Sequence, residues 1–297
     1  MQRGPTMVKN NEKAAYLYIA PAILLYLVFY GFPIVISCGL MFFDYNIVSA
    51  PVFVGLDNIK SVFSNPDIGT VFLNSSKLLV LLVFSHVVLG LALALLVNAS
   101  GKRMSAVMQT VIYIPTVLTT ASVGVAWRFM FNTDLGAINY ILSLLGLEKV
   151  PWLTSSKYAL FAIVIFSIWK FVGTPFIYYF LGLQNIPQSL YEAAQIDGAG
   201  KLQIFRRITL PMLTPTIFMV LVLSFISYLQ CFDEPFILTS GGPGLSTTTV
   251  NLQIYNYFNS GKMSHSSILS IVMLVIVIAI TALQFKMSKK WVNYDLE

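Results

Sequence analysis

Six long apolar runs alternate with polar stretches along this chain, at residues 16–43, 71–97, 107–131, 158–183, 212–238 and 266–285. Each reaches the roughly 20 residues that a helix needs to cross the hydrocarbon core of a bilayer. The pattern therefore predicts an all-α polytopic membrane protein with six transmembrane helices. The first run is too long for the apolar region of a secretory leader and shows no small-residue cleavage site, so it reads as an uncleaved span. Pro21, Gly31 and Pro33 should bend it, Pro115 should break the third span, and Gly173, Thr174 and Pro175 should loosen the fourth. Residues 44–70, 132–157 and 239–265 are polar and turn-forming and are expected as loops.

Residues 184–211, between the fourth and fifth runs, lack a membrane-like segment yet keep a helical plan. Ser189 followed by Glu192 has the form of a capping box, which should start a helix. Ala193 and Ala194 keep one side small enough for another surface to come close, and Gly198 with Gly200 should end or bend the helix. Lys201, Arg206 and Arg207 then form a basic second piece before Pro211. On the residues alone this is either a docking helix or an amphipathic surface loop.

Composition narrows the class. The 297 residues are 57% hydrophobic and only 10% charged, far from the balance of a soluble domain. Cys38 and Cys231 both fall in apolar runs and indicate neither a disulfide framework nor a metal site. The net charge of +6 does not point to nucleic acid, because the basic residues are spread among loops with no aromatic-interleaved basic face. It reports topology instead. Of the 18 lysines and arginines, eleven fall near the two termini (residues 1–15 and 286–297), in the turn at 102–103 and in the 184–211 stretch; six lie on the opposite side among offsetting acids. The positive-inside rule then places both termini and residues 184–211 in the cytoplasm. No internal repeat or second domain is evident: residues 16–287 read as one membrane domain between tails 1–15 and 288–297.

Candidate chemistry is sparse. Gly198-Ala199-Gly200-Lys201 ends like a phosphate loop, but Gln195 stands where the first glycine is required and Leu202 where Ser or Thr is required. ATP binding is therefore not expected in this chain, and an ATP-driven function would need a separate ATPase. His86 and His265 have no partners at metal-ligand spacing; His86 is read as a packed hydrogen-bonding residue and His265 as a loop residue. No catalytic or metal residue is indicated. Intramembrane polar groups are more informative, because they are costly there and usually face a cavity or the bundle interior. Lys170 stands about 12 residues, or roughly 18 Å, into the fourth run, beside Trp169 and just before Thr174. In the fifth, Ser224, Ser227, Tyr228 and Cys231 recur at helical spacing as one polar stripe, with Gln230 and Glu234 beside it. Two such faces would line a common passage. Alternatively, the hydroxyls serve helix packing and Lys170 bonds helix-end carbonyls.

Glu192-Ala193-Ala194, three residues, Gly198, nine residues, Ile208, one residue and Leu210-Pro211 together resemble the EAA loop of bacterial ABC importer permeases without a departure. Asp197-Gly198-Ala199, Phe205, Phe232-Asp233-Glu234 and Gly241-Gly242-Pro243-Gly244 are similar to the carbohydrate-uptake branch of that family, and the resemblance covers nearly the whole chain. It implies a permease subunit in the bacterial cytoplasmic membrane, without enzymatic activity or a cofactor of its own. ATP and magnesium would be bound by two partner ATP-binding cassette subunits. A second permease subunit, taken as a different chain, would complete the passage. An extracytoplasmic binding protein, facing the Gly241–Gly244 loop, would deliver a sugar or oligosaccharide. Glu192 would anchor the ATPase contact, with Asp197 and Ala199 in the same element. Ala193, Ala194 and Gly198 would allow close approach, and Leu210-Pro211 would fix the return into the fifth span. The sugar contacts implied lie on the fourth and fifth spans. Import of glycerol phosphate or another polyol phosphate is the alternative within this architecture. A stand-alone ion-coupled secondary transporter is the alternative outside it, although the internal repeats and paired intramembrane carboxylates expected of one are not found. A membrane-embedded enzyme lacks any nucleophile or metal signature.

Overall fold

The structure, a computed structural model, describes residues 8–292, with side-chain surroundings given from residue 16. Of the two expected tails, residues 1–7 and 293–297 lie outside the described residues. Helices dominate. In chain order they are α1 (Val8–Tyr26), α2 (Phe32–Leu40), a two-stranded hairpin of β1 (Phe43–Asp44) and β2 (Val52–Phe53), α3 (Asp57–Ser64), α4 (Pro66–Asn98), α5 (Lys102–Val117) and α6 (Thr120–Met130). There follow α7 (Ala137–Leu144), α8 (Ala159–Phe171), α9 (Gly173–Gln184), α10 (Gln188–Ile196), α11 (Lys201–Ile204), α12 (Leu210–Met212), α13 (Thr214–Leu229), α14 (Asp233–Thr239), α15 (Val250–Asn259) and α16 (Met263–Ser288).

Three helical stretches are long and apolar enough to cross a membrane: Tyr16–Leu40, Pro66–Asn98 and Met263–Ser288. Three further candidates are bent pairs, α5 with α6 at 97°, α8 with α9 at 43°, and Lys201–Met212 with α13 at 61°. The described residues thus offer three spans, or up to six if each bent pair counts as one.

The chain divides into two compact units, one containing the residues up to Ser64 with Ile254–Val272, the other Asn65–Gln253 with the residues from Met273 onward. In the first unit, the opening span runs on as one helical stretch, Tyr16–Leu40, and in place of the expected bend it carries a widened π-helical turn at Leu27–Gly31, which joins α1 to α2. Pro33 follows after Phe32; its missing amide and its ring disturb the carbonyl of Phe29 one turn back, inside the π-turn, and a wider turn accommodates that. The stretch 44–70, expected as a plain loop, instead holds the hairpin, in which Phe43 pairs with Phe53 and Asp44 with Val52, followed by α3. Side chains from distant elements fix it: Asn58 Nδ2 donates to the Phe43 carbonyl at 2.8 Å, and Ser264 Oγ accepts from Tyr45 N at 3.1 Å while donating to the same Phe43 carbonyl. His265, expected in a loop, lies in the first turn of α16 against the Tyr257 ring.

In the second unit two of the helix breaks share one physical cause. A proline cannot donate to the carbonyl four residues before it, and inside a membrane the freed carbonyl must find another donor. Pro215 leaves the Pro211 carbonyl free, and Thr214 Oγ supplies the bond at 2.7 Å. Pro235 leaves the Cys231 carbonyl free, and Thr249 Oγ supplies it at 2.8 Å, with Asn251 Nδ2 on the neighbouring Gln230 carbonyl at 2.9 Å. This break corrects the expected fifth span: the helix stops at Leu229 instead of running to 238, and its bent pair begins at Lys201. The third span is also corrected. Helix α5 passes through Pro115 and ends at Val117, and the turn falls at Leu118 and Thr119, both in extended conformation. Loop 132–157 contains α7, and loop 239–265 contains α15.

Candidate functional site

Two of these breaks adjoin one cavity of about 320 Å³ in the second unit. The α8–α9 break contributes Phe171, Thr174, Pro175 and Tyr178; α13 contributes Val220, Leu223, Ser224, Ser227 and Tyr228. Gln230, Cys231 and Phe232 come from the irregular backbone after α13, Asp233 and Glu234 from the start of α14, and His86 from α4. Irregular backbone at membrane depth is tolerated where it lines a cavity, and that is its position here.

The polar groups in this cavity fall into two sets. One is committed to the protein. His86 is buried, its Nδ1 is 2.8 Å from the Leu82 carbonyl and its Nε2 is 2.9 Å from Tyr228 Oη. A carbonyl can only accept, so in the neutral ring the proton sits on Nδ1 and Tyr228 donates to Nε2. Cys231 Sγ likewise donates to Glu234 Oε2 at 3.2 Å. The other set is uncommitted: Thr174, Ser224, Ser227 and Gln230 line the same space, and among the described residues their side chains make no hydrogen bond within the protein. The rings of Phe171, Tyr178 and Phe232 stand beside them.

Six of the eight pathway residues expected from the sequence, Thr174, Ser224, Ser227, Tyr228, Gln230 and Cys231, meet in this cavity. Cys231 does so for a different reason than expected: it lies beyond the end of α13, so the polar stripe is helical only as far as Tyr228. Trp169 and Lys170 are not part of the lining. Trp169 belongs to an aromatic group with Trp127, ring centroids 5.2 Å apart. Lys170 is only 1% exposed and donates from Nζ to the Thr116 carbonyl at 3.0 Å, while Thr116 Oγ donates back to the Lys170 carbonyl at 3.1 Å. This reciprocal clasp ties the end of α5 to the end of α8, so Lys170 satisfies helix-end carbonyls. His86 and Tyr178 were missed as lining residues. The signal for His86 was its isolation as the one imidazole in an apolar run; Tyr178 carried none that separates it from the other aromatic residues.

Removing the Tyr228 hydroxyl isolates a buried acceptor. Tyr228→Phe is expected to cost about 1–3 kcal/mol through the unpaired His86 nitrogen. The measurement is the melting temperature of the detergent-solubilised protein, and an unchanged value would show that the pair does not hold the two helices.

The 184–211 stretch forms α10, α11, a π-helical turn at Phe205–Thr209 and α12. The capping box is not formed: α10 starts at Gln188 with Pro187 at its N-cap, which puts Ser189 inside the first turn with no side-chain cap. Its end is well defined. Gly198 has φ of +76°, its amide bonds the Gln195 carbonyl at 3.1 Å, and the Ala199 amide reaches the Ala194 carbonyl at 2.9 Å, a Schellman arrangement closed by Asp197 as C-cap. Glu192, Ala193, Asp197 and Gly198 are exposed, as is Ile196, while Ala194, Ala199, Leu210 and Pro211 are half-buried. Tyr191 bonds Thr209 Oγ at 3.2 Å and packs on the apolar cluster that contains Phe176, Tyr179, Leu183 and Leu213. Helix α10 is therefore fastened to the body on one side and presents Glu192 on the other.

A family described as the binding-protein-dependent transport system inner membrane component matches residues 86–292. The chain is 36% identical to MalF, the trehalose/maltose transport system permease protein of Thermococcus litoralis, across 94% of this chain and 95% of MalF. It is 34% identical to YesP, a probable ABC transporter permease protein of Bacillus subtilis, across 97% and 94% respectively. Its fold is similar to that of a chain from a bacterial ABC transporter involved in the import of the acidic polysaccharide alginate. That similarity has a TM-score of 0.84 at 24% identity and covers 96% of this chain and 98% of the other.

Proposed function

The chain belongs to the family of binding-protein-dependent transport system inner membrane components, the permease subunits of ABC importers, and from that premise we propose how it moves its solute. It is a multi-pass protein of the plasma membrane. In this reading each bent pair is one span, so six spans cross the bilayer with both termini in the cytoplasm. Together with a second, different permease they enclose the passage. The cavity between the α8–α9 and α13–α14 breaks is this chain's share of the solute site, and a sugar or oligosaccharide is the solute.

The uncommitted set in the cavity carries the substrate reading. A sugar needs hydroxyl and amide partners at its edges and flat apolar surface under its ring; Thr174, Ser224, Ser227 and Gln230 supply the first, and Phe171, Tyr178 and Phe232 the second. Tyr228 and Cys231, already bonded to His86 and Glu234, shape the wall. A sugar phosphate or polyol phosphate is not favoured. Its anion calls for cationic partners, yet the described lining has no lysine or arginine and includes Asp233 and Glu234. The relation to a trehalose/maltose permease supports the same choice.

The energy enters through partners. Two ATP-binding cassette subunits hold ATP and magnesium, and this chain holds neither and is not an enzyme. Residues 184–211 act as the coupling loop: α10 docks on one ATPase through Glu192, the small Ala193, Ala194 and Gly198 allow close approach, and Asp197 and Ala199 close the helix end. Leu210 and Pro211 return the motion into α13. On the opposite face, the Gly241–Gly244 loop meets an extracytoplasmic binding protein that delivers the solute.

The complex, purified with its partners and reconstituted in proteoliposomes, should take up sugar only with ATP and a loaded binding protein. Ser227→Trp places an indole in the cavity and is expected to cut uptake roughly tenfold, equivalent to about 1.4 kcal/mol, without loss of the co-purifying ATPases. Uptake by this chain alone without ATP would overturn the reading in favour of an ion-coupled secondary transporter.

A further inference from the structure

Helix α7, outside every candidate span, has its polarity inverted relative to a helix that faces water. Its one side-chain amide, Asn139, is 1% exposed and fully used inside the fold. Its Nδ2 donates to the carbonyls of Thr133 at 3.0 Å and Val150 at 2.8 Å, and its Oδ1 accepts from Val150 N and Trp152 Nε1, both at 3.1 Å. These four bonds exhaust the amide and fix the rotation of the helix about its axis. The side turned outward is mainly apolar: Tyr140, Ile141 and Leu144 on α7, with Leu135 before it and Leu145 and Leu147 after it, are all exposed, Leu144 at 68% and Leu145 at 70%, and the exposed Ser143 hydroxyl is spent on the Tyr140 carbonyl at 2.7 Å.

Something apolar must cover this face, and the surroundings favour lipid over protein. The chain turns through 97° between α5 and α6, so α6, the helix that leads towards α7, does not continue the direction of α5. The segment that follows α7 carries Trp152 and Tyr158 with ring centroids 6.3 Å apart, and Lys157 Nζ lies 5.2 Å from the centre of the Tyr158 ring. Tryptophan, tyrosine and lysine grouped at the start of a candidate span are the residues that settle at the boundary between hydrocarbon and water. A binding protein, which docks and leaves, would expose the face to water in every cycle; lipid covers it throughout. We propose that α7 lies in the plane of the membrane boundary with Tyr140, Ile141, Leu144 and Leu145 in the acyl region and Asn139 turned into the protein.

The inference rests on the chain being a membrane permease and not on the solute it carries. The test is photocrosslinking in native membranes with the whole complex present, placing benzoylphenylalanine singly at Tyr140, at Leu144 and, as a reference, at Val80 on the exposed side of α4. Lipid adducts at 140 and 144 with a yield within about twofold of that at 80 are the result expected of a face in continuous lipid contact. Adducts to the second permease or to a binding protein at 140 and 144, or no adduct there while Val80 gives lipid, would overturn the placement. Absence of lipid adducts at Val80 would overturn the membrane reading itself.

Discussion

Reversal of charge at Glu192, as Glu192→Lys, is expected to abolish sugar uptake by the assembled importer while the chain itself still folds and inserts. The side chain is exposed on α10 and makes no hydrogen bond or ion pair among the described residues, so the fold does not depend on it. In the proposed complex it meets the ATPase. Loss of a desolvated charge contact costs about 2 kcal/mol or more, and a reversed charge adds repulsion, so ATPase retention should fall by more than roughly tenfold. The measurement is co-purification from membranes together with uptake. Wild-type retention with wild-type uptake would remove Glu192 from the docking role. A melting temperature equal to that of the wild-type chain would confirm that any loss comes from coupling and not from misfolding.

Gly173→Val should have the largest effect on the fold. Even a β-carbon at Gly173 would stand 2.6 Å from Thr116 Oγ, 2.8 Å from the Ile112 carbonyl oxygen and 3.1 Å from Tyr113 Cα. The hydroxyl can rotate away, but the other two atoms are backbone and move only if α5 and α9 separate. Overpacking of this kind costs about 1–3 kcal/mol. Separation would also pull apart the Lys170–Thr116 clasp next to Gly173 and displace Thr174 and Pro175 in the cavity wall. The expected result is a lower melting temperature and weakened uptake. Gly69→Ala is the matched control: no atom lies within 4 Å of its β-carbon position, and in a helix the change should be neutral or slightly stabilising. Equal melting temperatures for Gly173→Val and the wild type would show that the two helices are not in contact at this point.

The same junction shows why Lys170 was hard to read. An intramembrane lysine reads either as a solute contact or as a donor to helix-end carbonyls, and its identity and depth do not choose between the two. Its real partner is the carbonyl of Thr116, 54 residues away, left without an amide donor where α5 ends. Nothing near Lys170 in the chain marks that position. The capping box failed similarly: Ser189 and Glu192 have the right spacing, but Pro187 suits the position before the first turn and starts α10 two residues too early for Ser189 to cap it.

What the sequence determined by itself is whatever one helical turn or one apolar run decides. The membrane class follows from the length and composition of the runs, since no water-soluble fold can cover that much apolar surface. The helix end at Gly198 and the interruption near Pro175 follow from covalent limits on φ and on amide donation, which act within four residues whatever the surroundings, whereas the breaks at Pro215 and Pro235 inside the fifth run emerged only in the structure. Tertiary structure decided which side chain repairs each interruption and what space the repairs leave. Thr249 reaches the Cys231 carbonyl from 18 residues away, and His86 meets Tyr228 from 142, because helix packing brings them within 3 Å. The division of the cavity into committed and uncommitted polar groups follows from those contacts. A hydroxyl left over after the backbone has been satisfied is free for solute, and only the packed helices fix which hydroxyls are left.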